Sequence, residues 1–234
     1  MTLCEYGYTH TVTRKHLNTT NRIMKTKTLL IAAAALAAGV ITSQAQVYSQ
    51  NVVGYVNVPC PSGAYVLVSN PLDNGTNTAN DLCGSLPNKS TISVWNGAGY
   101  TSYTKGSAGF SPNPSIPVGK GFFINSSANY TNTFVGSVLP VVGGSTTNNM
   151  PAGTSILVGS RIPVGGTFND VGTNTLNLIA ALPNKSTIQL WNGTGYTSYT
   201  KGSAGFSPNP TLQVGQGFFI NSSSAANWVQ TLGQ

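Results

Sequence analysis

From residue 46 onward, apolar residues come in short bursts of four to eight positions, separated by clusters of Gly, Pro, Asn and Ser. Val52–Pro59 and Tyr65–Ser69 are β-branched and aromatic with partial alternation. In Thr91–Trp95, Ile92 and Val94 fall on one face, with Thr91, Ser93 and Trp95 on the other. Asn96-Gly97-Ala98-Gly99 follows; Asn and Gly tolerate positive φ, so the segment predicts a tight turn returning through Tyr100–Thr104. Gly121–Asn125 and Tyr130–Val138 are further expected strands. The same pattern recurs at Thr187–Trp191, Tyr196–Thr200, Gly217–Asn221 and Trp228–Leu232. Thr and Asn ahead of apolar runs at Ala79–Leu86 and Leu176–Leu182, each run stopped by Pro87 or Pro183, predict one short helix per copy.

The recurrence is close to literal. Leu86–Ser126 and Leu182–Ser222 align without a gap at an offset of 96, and 34 of 41 positions are identical. The differences are Ser93/Gln189, Val94/Leu190, Ala98/Thr194, Ser115/Thr211, Ile116/Leu212, Pro117/Gln213 and Lys120/Gln216. One structural unit used twice follows, and any site in one copy has a twin in the other. The expected fold is all-β: two tandem antiparallel sandwich- or barrel-like modules, each with one short helix, at residues 46–138 and 139–234. Val142–Met150 reads as a flexible connection. The likeness of Val53-Gly54-Tyr55-Val56 to Val135-Gly136-Ser137-Val138 suggests copies joined through a shared or adjacent strand.

The other apolar run, Leu29–Ile41, is of a different kind. It follows the basic start Met24-Lys25-Thr26-Lys27 and precedes Ser43-Gln44-Ala45, with small residues at the two cleavage-determining positions. This is a secretory signal at residues 24–45, expected to be cut after Ala45, with residues 1–23 an upstream extension. At 13 residues the run is short for a membrane-crossing helix. A secreted, extracellular or outer-surface location is therefore expected, with no membrane span after cleavage.

Removing the leader changes the charge. The whole chain carries +7. Residues 46–234 keep six bases (Lys89, Lys105, Lys120, Arg161, Lys185, Lys201) and three acids (Asp73, Asp81, Asp170), a net +3. Scattered bases make no stripe to follow a phosphate backbone, so no nucleic-acid partner is expected. The leader also takes both histidines and the single glutamate. A carboxylate pair for glycoside hydrolysis is not evident, because Asp73 and Asp170 read as repeat equivalents and Asp81 has no partner. Ser102-Tyr103-Thr104-Lys105 and its twin Ser198–Lys201 match S-x-x-K, but on a strand positions three apart point to opposite faces. A calcium loop at Asp73 or Asp170 would have one carboxylate each, too few for the ion, and a capped helix start is the preferred reading of the same residues. The chain is therefore read as no enzyme, with no cofactor and no metal.

Two features remain. Cys60 and Cys83 are a candidate disulfide in an exported chain, or else two buried thiols. Trp95, Asn96, Tyr100 and Tyr103, with their twins Trp191, Asn192, Tyr196 and Tyr199, are candidate ligand-binding residues, because rings beside amides stack on sugars or on protein. The same rings serve equally as core or cross-strand braces.

The order NPLD, short helix, W-N-G-x-G-Y-x-x-Y and V-G-x-G-F-F-I-N resembles a module of exported Bacteroidota surface proteins. The opening NVVGYVNV is similar to uncharacterised secreted proteins of Verrucomicrobiota. The resemblance implies an extracellular β-module and carries over no site residue. The expected function is a non-catalytic structural or adhesive protein of the surface or matrix, with self-association or other surface proteins as partners. The alternative is a carbohydrate-binding module with a glycan partner.

Overall fold

Each hairpin turn forms where Asn and Gly place it. Asn96 donates its backbone N–H to Gly99 O at 3.0 Å, and Asn192 does the same to Gly195 O at 2.9 Å. Gly97 and Gly193 adopt φ of 103° and 101°, which a residue with a Cβ rarely reaches. The computed structural model describes residues 53–140 and 143–233. The expected signal segment, upstream extension and cleavage position lie outside them.

The described chain is almost entirely β and antiparallel. The first repeat comprises β1 (Val53–Cys60), β2 (Tyr65–Ser69), α1 (Ala79–Cys83), β3 (Thr91–Trp95), β4 (Tyr100–Gly106), β5 (Gly109–Phe110), β6 (Gly121–Asn125) and β7 (Tyr130–Ser137). The second comprises β8 (Ser145–Met150), β9 (Ser155–Val158), β10 (Gly166–Thr167), α2 (Leu178–Ala181), β11 (Thr187–Trp191), β12 (Tyr196–Gly202), β13 (Gly205–Phe206), β14 (Thr211–Leu212), β15 (Phe218–Asn221) and β16 (Ala226–Thr231). Each repeat is sandwich-like: a five-stranded sheet faces a two-stranded ribbon. The sheets run β2-β6-β3-β4-β5 and β9-β15-β11-β12-β13, and the ribbons are β1-β7 and β8-β16.

Alternation along β3 decides its packing. Ile92 is fully buried in the first core with Phe122, Ile124 and Phe134, and Val94 packs at its margin. Trp95, on the opposite face, joins a separate cluster of Leu67, Phe123, Leu157 and Phe219. The second core is built the same way around Ile188, Phe218, Ile220 and Trp228. Each five-stranded sheet therefore buries one face on its own ribbon and the other on the twin sheet.

Four expectations change. Residues 145–150 form β8 and not a flexible connection, pairing with β16 from Met150↔Ala226 to Ser145↔Thr231. Its polar sequence hides the strand, but Met150 is buried inward and the ladder supplies backbone partners. No strand is shared between repeats, since β7 pairs with β1 and β16 with β8.

The helices are shorter than predicted. Gly84 closes α1, and Asn177 precedes α2 with φ of 53°, which keeps Leu176 out of the helix.

The fourth change concerns the acids. Asp170 is the twin of Asp81, not of Asp73. Asp81 accepts from the Thr78 backbone N–H and hydroxyl, as Asp170 does from Thr167. Asn80 brackets Phe110 through both amide atoms, as Asn169 brackets Phe206. The shared signal is T-x-N-D, at Thr78–Asp81 and Thr167–Asp170. Seven extra residues then separate Asp170 from Leu182, compared with Asp81 from Leu86, and they displaced the alignment.

Candidate functional site

The repeated aromatics converge between the two repeats, where they form a clamp with near two-fold symmetry. Trp95 Nε1–H donates to the Ser155 carbonyl at 3.2 Å. Trp191 Nε1–H donates to the Tyr65 carbonyl at 2.9 Å. Tyr65 and Ser155 are themselves twins, each opposite an equivalent Asn in its sheet. The Trp95 ring meets Phe219 edge-on at 5.2 Å and 87°, and Trp191 meets Phe123 at 5.1 Å and 82°. Such pairs contribute about 0.5–1.5 kcal/mol each beyond burial.

The hairpin register supplies the next layer. Trp95 lies opposite Tyr100, and Trp191 opposite Tyr196. The two phenol oxygens then meet each other at 2.8 Å. Tyr100 remains 40% and Tyr196 39% exposed. Burial holds both phenols above their ordinary value, and at Tyr100 the hydrogen bond with Tyr196 pushes in the same direction. Both are neutral at any physiological pH.

Backbone contacts close the clamp. Ser69 N–H donates to Gly215 O at 2.8 Å, and its twin Gly159 donates to Gly119 O at 2.9 Å. Ser69 and Gly159 face one another at the axis, where a Cβ on Gly159 would collide with the Ser69 side chain. Lys120 breaks the symmetry: its ammonium donates to Trp95 O at 2.9 Å, and burial lowers its pKa. The equivalent Gln216 instead accepts from Gln213 N–H.

The eight candidate ligand-binding residues therefore fall into three places. Trp95, Tyr100, Trp191 and Tyr196 are in the clamp. Tyr103 and Tyr199 lie on the opposite sheet faces, against the first and second cores, with Tyr199 edge-on to Phe168 at 5.8 Å. Asn96 and Asn192 are exposed, and their side-chain carbonyls accept the turn's own N–H groups. They do not form one continuous ring surface. The sequence pattern identified the clamp rings but missed their opposing partners Leu67, Leu157, Phe123 and Phe219. The available signal was the apolar residues on the outer face of strands whose other face was already apolar.

The remaining candidate groups are engaged as follows. Of the two alternatives for Cys60 and Cys83, a disulfide or two buried thiols, the structure holds them as free, buried thiols. Burial raises both pKa values, and the nearby Cys60 raises that of Cys83 further, so neither is a ready thiolate. Of the S-x-x-K pair, Ser102 bonds Ser93 at 2.8 Å and Lys105 bonds Asn88 at 3.0 Å, in separate places. Asp73 accepts from Gly75 N–H and the Asn77 amide within its own loop. The Thr76 and Thr78 hydroxyls on Asp81 hold its carboxyl below the usual range. Among the described residues no three His, Cys, Asp or Glu side chains gather in a metal-binding group, and no helix is long and apolar enough to cross a membrane. Comparison with known protein families, curated proteins and solved structures finds no match to this chain.

Proposed function

We propose that the chain is a secreted, non-catalytic structural or adhesive protein of a cell surface or matrix. The observation that carries this reading is the clamp: the side chains best suited to stacking on a ligand are engaged with their own twins. The product is two sandwiches held as one unit by paired rings and reciprocal backbone bonds. The carboxylates support it too, because Asp81 and Asp170 are each engaged by the Thr three residues before them and belong to different repeats. Beads coated with residues 46–234 are expected to adhere to one another or to matrix-coated glass under flow. Beads no more adherent than albumin-coated controls would contradict the reading.

The second reading, a carbohydrate-binding module, draws on Trp191, whose ring borders a groove of about 460 Å³ with Tyr65 and Gln216. Saturable binding on a glycan array, lost in Trp191→Ala, would put this reading first. An array without signal removes it.

A further inference from the structure

The ribbons differ at their free edges. Strand β1 pairs with β7 on one side only. In an antiparallel pair, residues alternate between those that bond across the ladder and those whose N–H and C=O point outward. Ser137 exchanges both backbone bonds with Asp73, so Val53↔Ser137 is an outward pair. Alternation then makes Tyr55↔Val135, Asn57↔Thr133 and Pro59↔Thr131 outward pairs as well. The twin ribbon agrees, since Thr147 O and its opposite Val229 O both accept side-chain donors from outside the ladder. On β1, the backbone N–H groups of Val53, Tyr55 and Asn57 and the carbonyls of Val53, Tyr55, Asn57 and Pro59 face away from β7. They have no bonding partner among the described residues.

This edge borders two adjoining grooves of about 460 and 580 Å³, which share Asn57, Pro59, Gln213 and Val214. The larger is lined by Gly54, Tyr55, Val56 and Asn57 in succession. Four consecutive strand residues can line one groove only through their backbone edge, because their side chains alternate. Gly215 forms part of the opposite wall: a Cβ there would lie 3.0 Å from Val56 and 3.5 Å from Val58. None of the lining residues is charged.

In the second repeat the corresponding place is filled. Arg161, at the position equivalent to Pro71, runs past Gly119 and donates to Thr147 O at 3.5 Å. Thr147 is the twin of Asn57. One edge is thus covered by a side chain, whereas the other has no charged residue along Val53–Cys60 and only Pro59 to limit pairing.

We infer that the open edge of β1 binds an uncharged extended peptide segment of a partner protein, which adds as a strand in the groove between β1 and Gln213–Gln216. Outward groups recur every second residue, roughly 6.8 Å apart, a spacing that another extended backbone matches donor for acceptor. Continuity with the clamp places Tyr65 and Trp191 at one end of the groove. A second β1 is the poorer occupant, because it would bring its own Gln213–Gln216 loop into the same space. The outer face of the ribbon would extend the contact, with Val53 68%, Tyr55 74% and Val135 53% exposed.

The probe is a fluorescent, end-capped octapeptide alternating threonine and valine, titrated into residues 46–234 and followed by anisotropy and amide hydrogen exchange. Saturable binding is expected, with at least tenfold slower exchange at Val53, Tyr55 and Asn57 and unchanged exchange at Val56 and Val58. A peptide N-methylated along its pairing edge should bind at least tenfold more weakly, with its side chains unchanged. Tyr55→Pro should weaken binding to the same degree, because that amide makes no ladder bond and its loss leaves β1-β7 intact. If Tyr55→Pro does not fold, the N-methylated peptide against the native chain decides. Absence of saturable binding, equal affinity for the N-methylated peptide, or unprotected β1 amides overturns the inference. Displacement of the peptide by a neutral oligosaccharide with no protection of β1 assigns the groove to a glycan and overturns it too.

Discussion

The two repeats share a hairpin block almost letter for letter and differ in the ribbons behind it. The difference follows the contacts. The near-identical block supplies Trp95, Tyr100, Phe123 and their twins, which meet across the axis. In such an isologous contact each residue's environment is set by the other copy of the same surface. The ribbons pack mainly on their own sheets, and there the repeats solve one packing problem in two ways. On β7, Asn132 and Phe134 are buried; at the same positions on β16, Trp228 and Gln230 are buried. Large and polar side chains have exchanged places two residues apart, on the same strand face. The partners differ: the Asn132 amide donates to Leu82 O while its Oδ1 has no partner among the described residues, and Gln230 donates to Ser160 and accepts from Arg161 N–H. A core specified mainly by volume tolerates this exchange, whereas the rings of a self-paired surface match their twins, with Lys120/Gln216 and Ser69/Gly159 as the departures.

That contrast is broken most forcefully at the exchanged pair. Trp228→Ala removes a fully buried ring whose indole N–H bonds Leu176 O, and should cost about 3–5 kcal/mol by urea unfolding. Asn132→Ala, at the twin position, should cost about 1 kcal/mol, the usual net value of a hydrogen bond. Equal losses would mean that the two ribbons do not carry load differently.

The clamp is expected to respond symmetrically. Trp95→Ala and Trp191→Ala remove half-buried twins with equivalent partners, and each should cost about 2–3 kcal/mol, below the range for a fully buried ring. Their losses should agree within about 0.5 kcal/mol, the tolerance expected of independent sites. A large disparity would assign the interface to one tryptophan.

A smaller effect concerns pH. The folded pKa values of Tyr100 and Tyr196 lie above the ordinary value of 10.0. The unfolded chain therefore releases these protons first as pH rises. Their contribution is fully present below about pH 10 and is lost progressively above it. Tyr100→Phe should flatten this alkaline loss of stability while changing stability at pH 7 by about 1 kcal/mol or less. An unchanged alkaline limb would separate the phenol pair from the interface energetics.

Much of this architecture was legible in the chain. β2, β3, β6 and β11 occupy the residues that alternation and turn chemistry assign to them. Strand β8 was not legible, because Ser145-Thr146-Thr147-Asn148-Asn149 has little apolar pattern and its pairing depends on β16, some 80 residues away in the chain. The equivalence of Asp81 and Asp170 was hidden by the insertion that follows Asp170, and only the shared hydrogen bonds reveal it. The candidate site was half legible. A sequence can show that Trp95 and Tyr100 flank a turn and recur, but not what meets their faces, because burial by a twin repeat is a property of the pair. The open edge of β1 was illegible for a related reason: it depends on Arg161 covering one ribbon and on Pro71 at the equivalent place in the other.

The central claim is that the two repeats meet as twins about an axis. A double-mutant cycle at Ser69 and Gly159 tests it most directly, because these equivalent residues face each other where only one side chain fits. Gly159→Ala alone should destabilise by about 1–3 kcal/mol through overpacking. Ser69→Gly should cost less. Adding Gly159→Ala to a Ser69→Gly chain should then restore most of the loss, giving a coupling of at least 1 kcal/mol. Strictly additive changes would contradict the account, because they would mean that residues 69 and 159 do not meet.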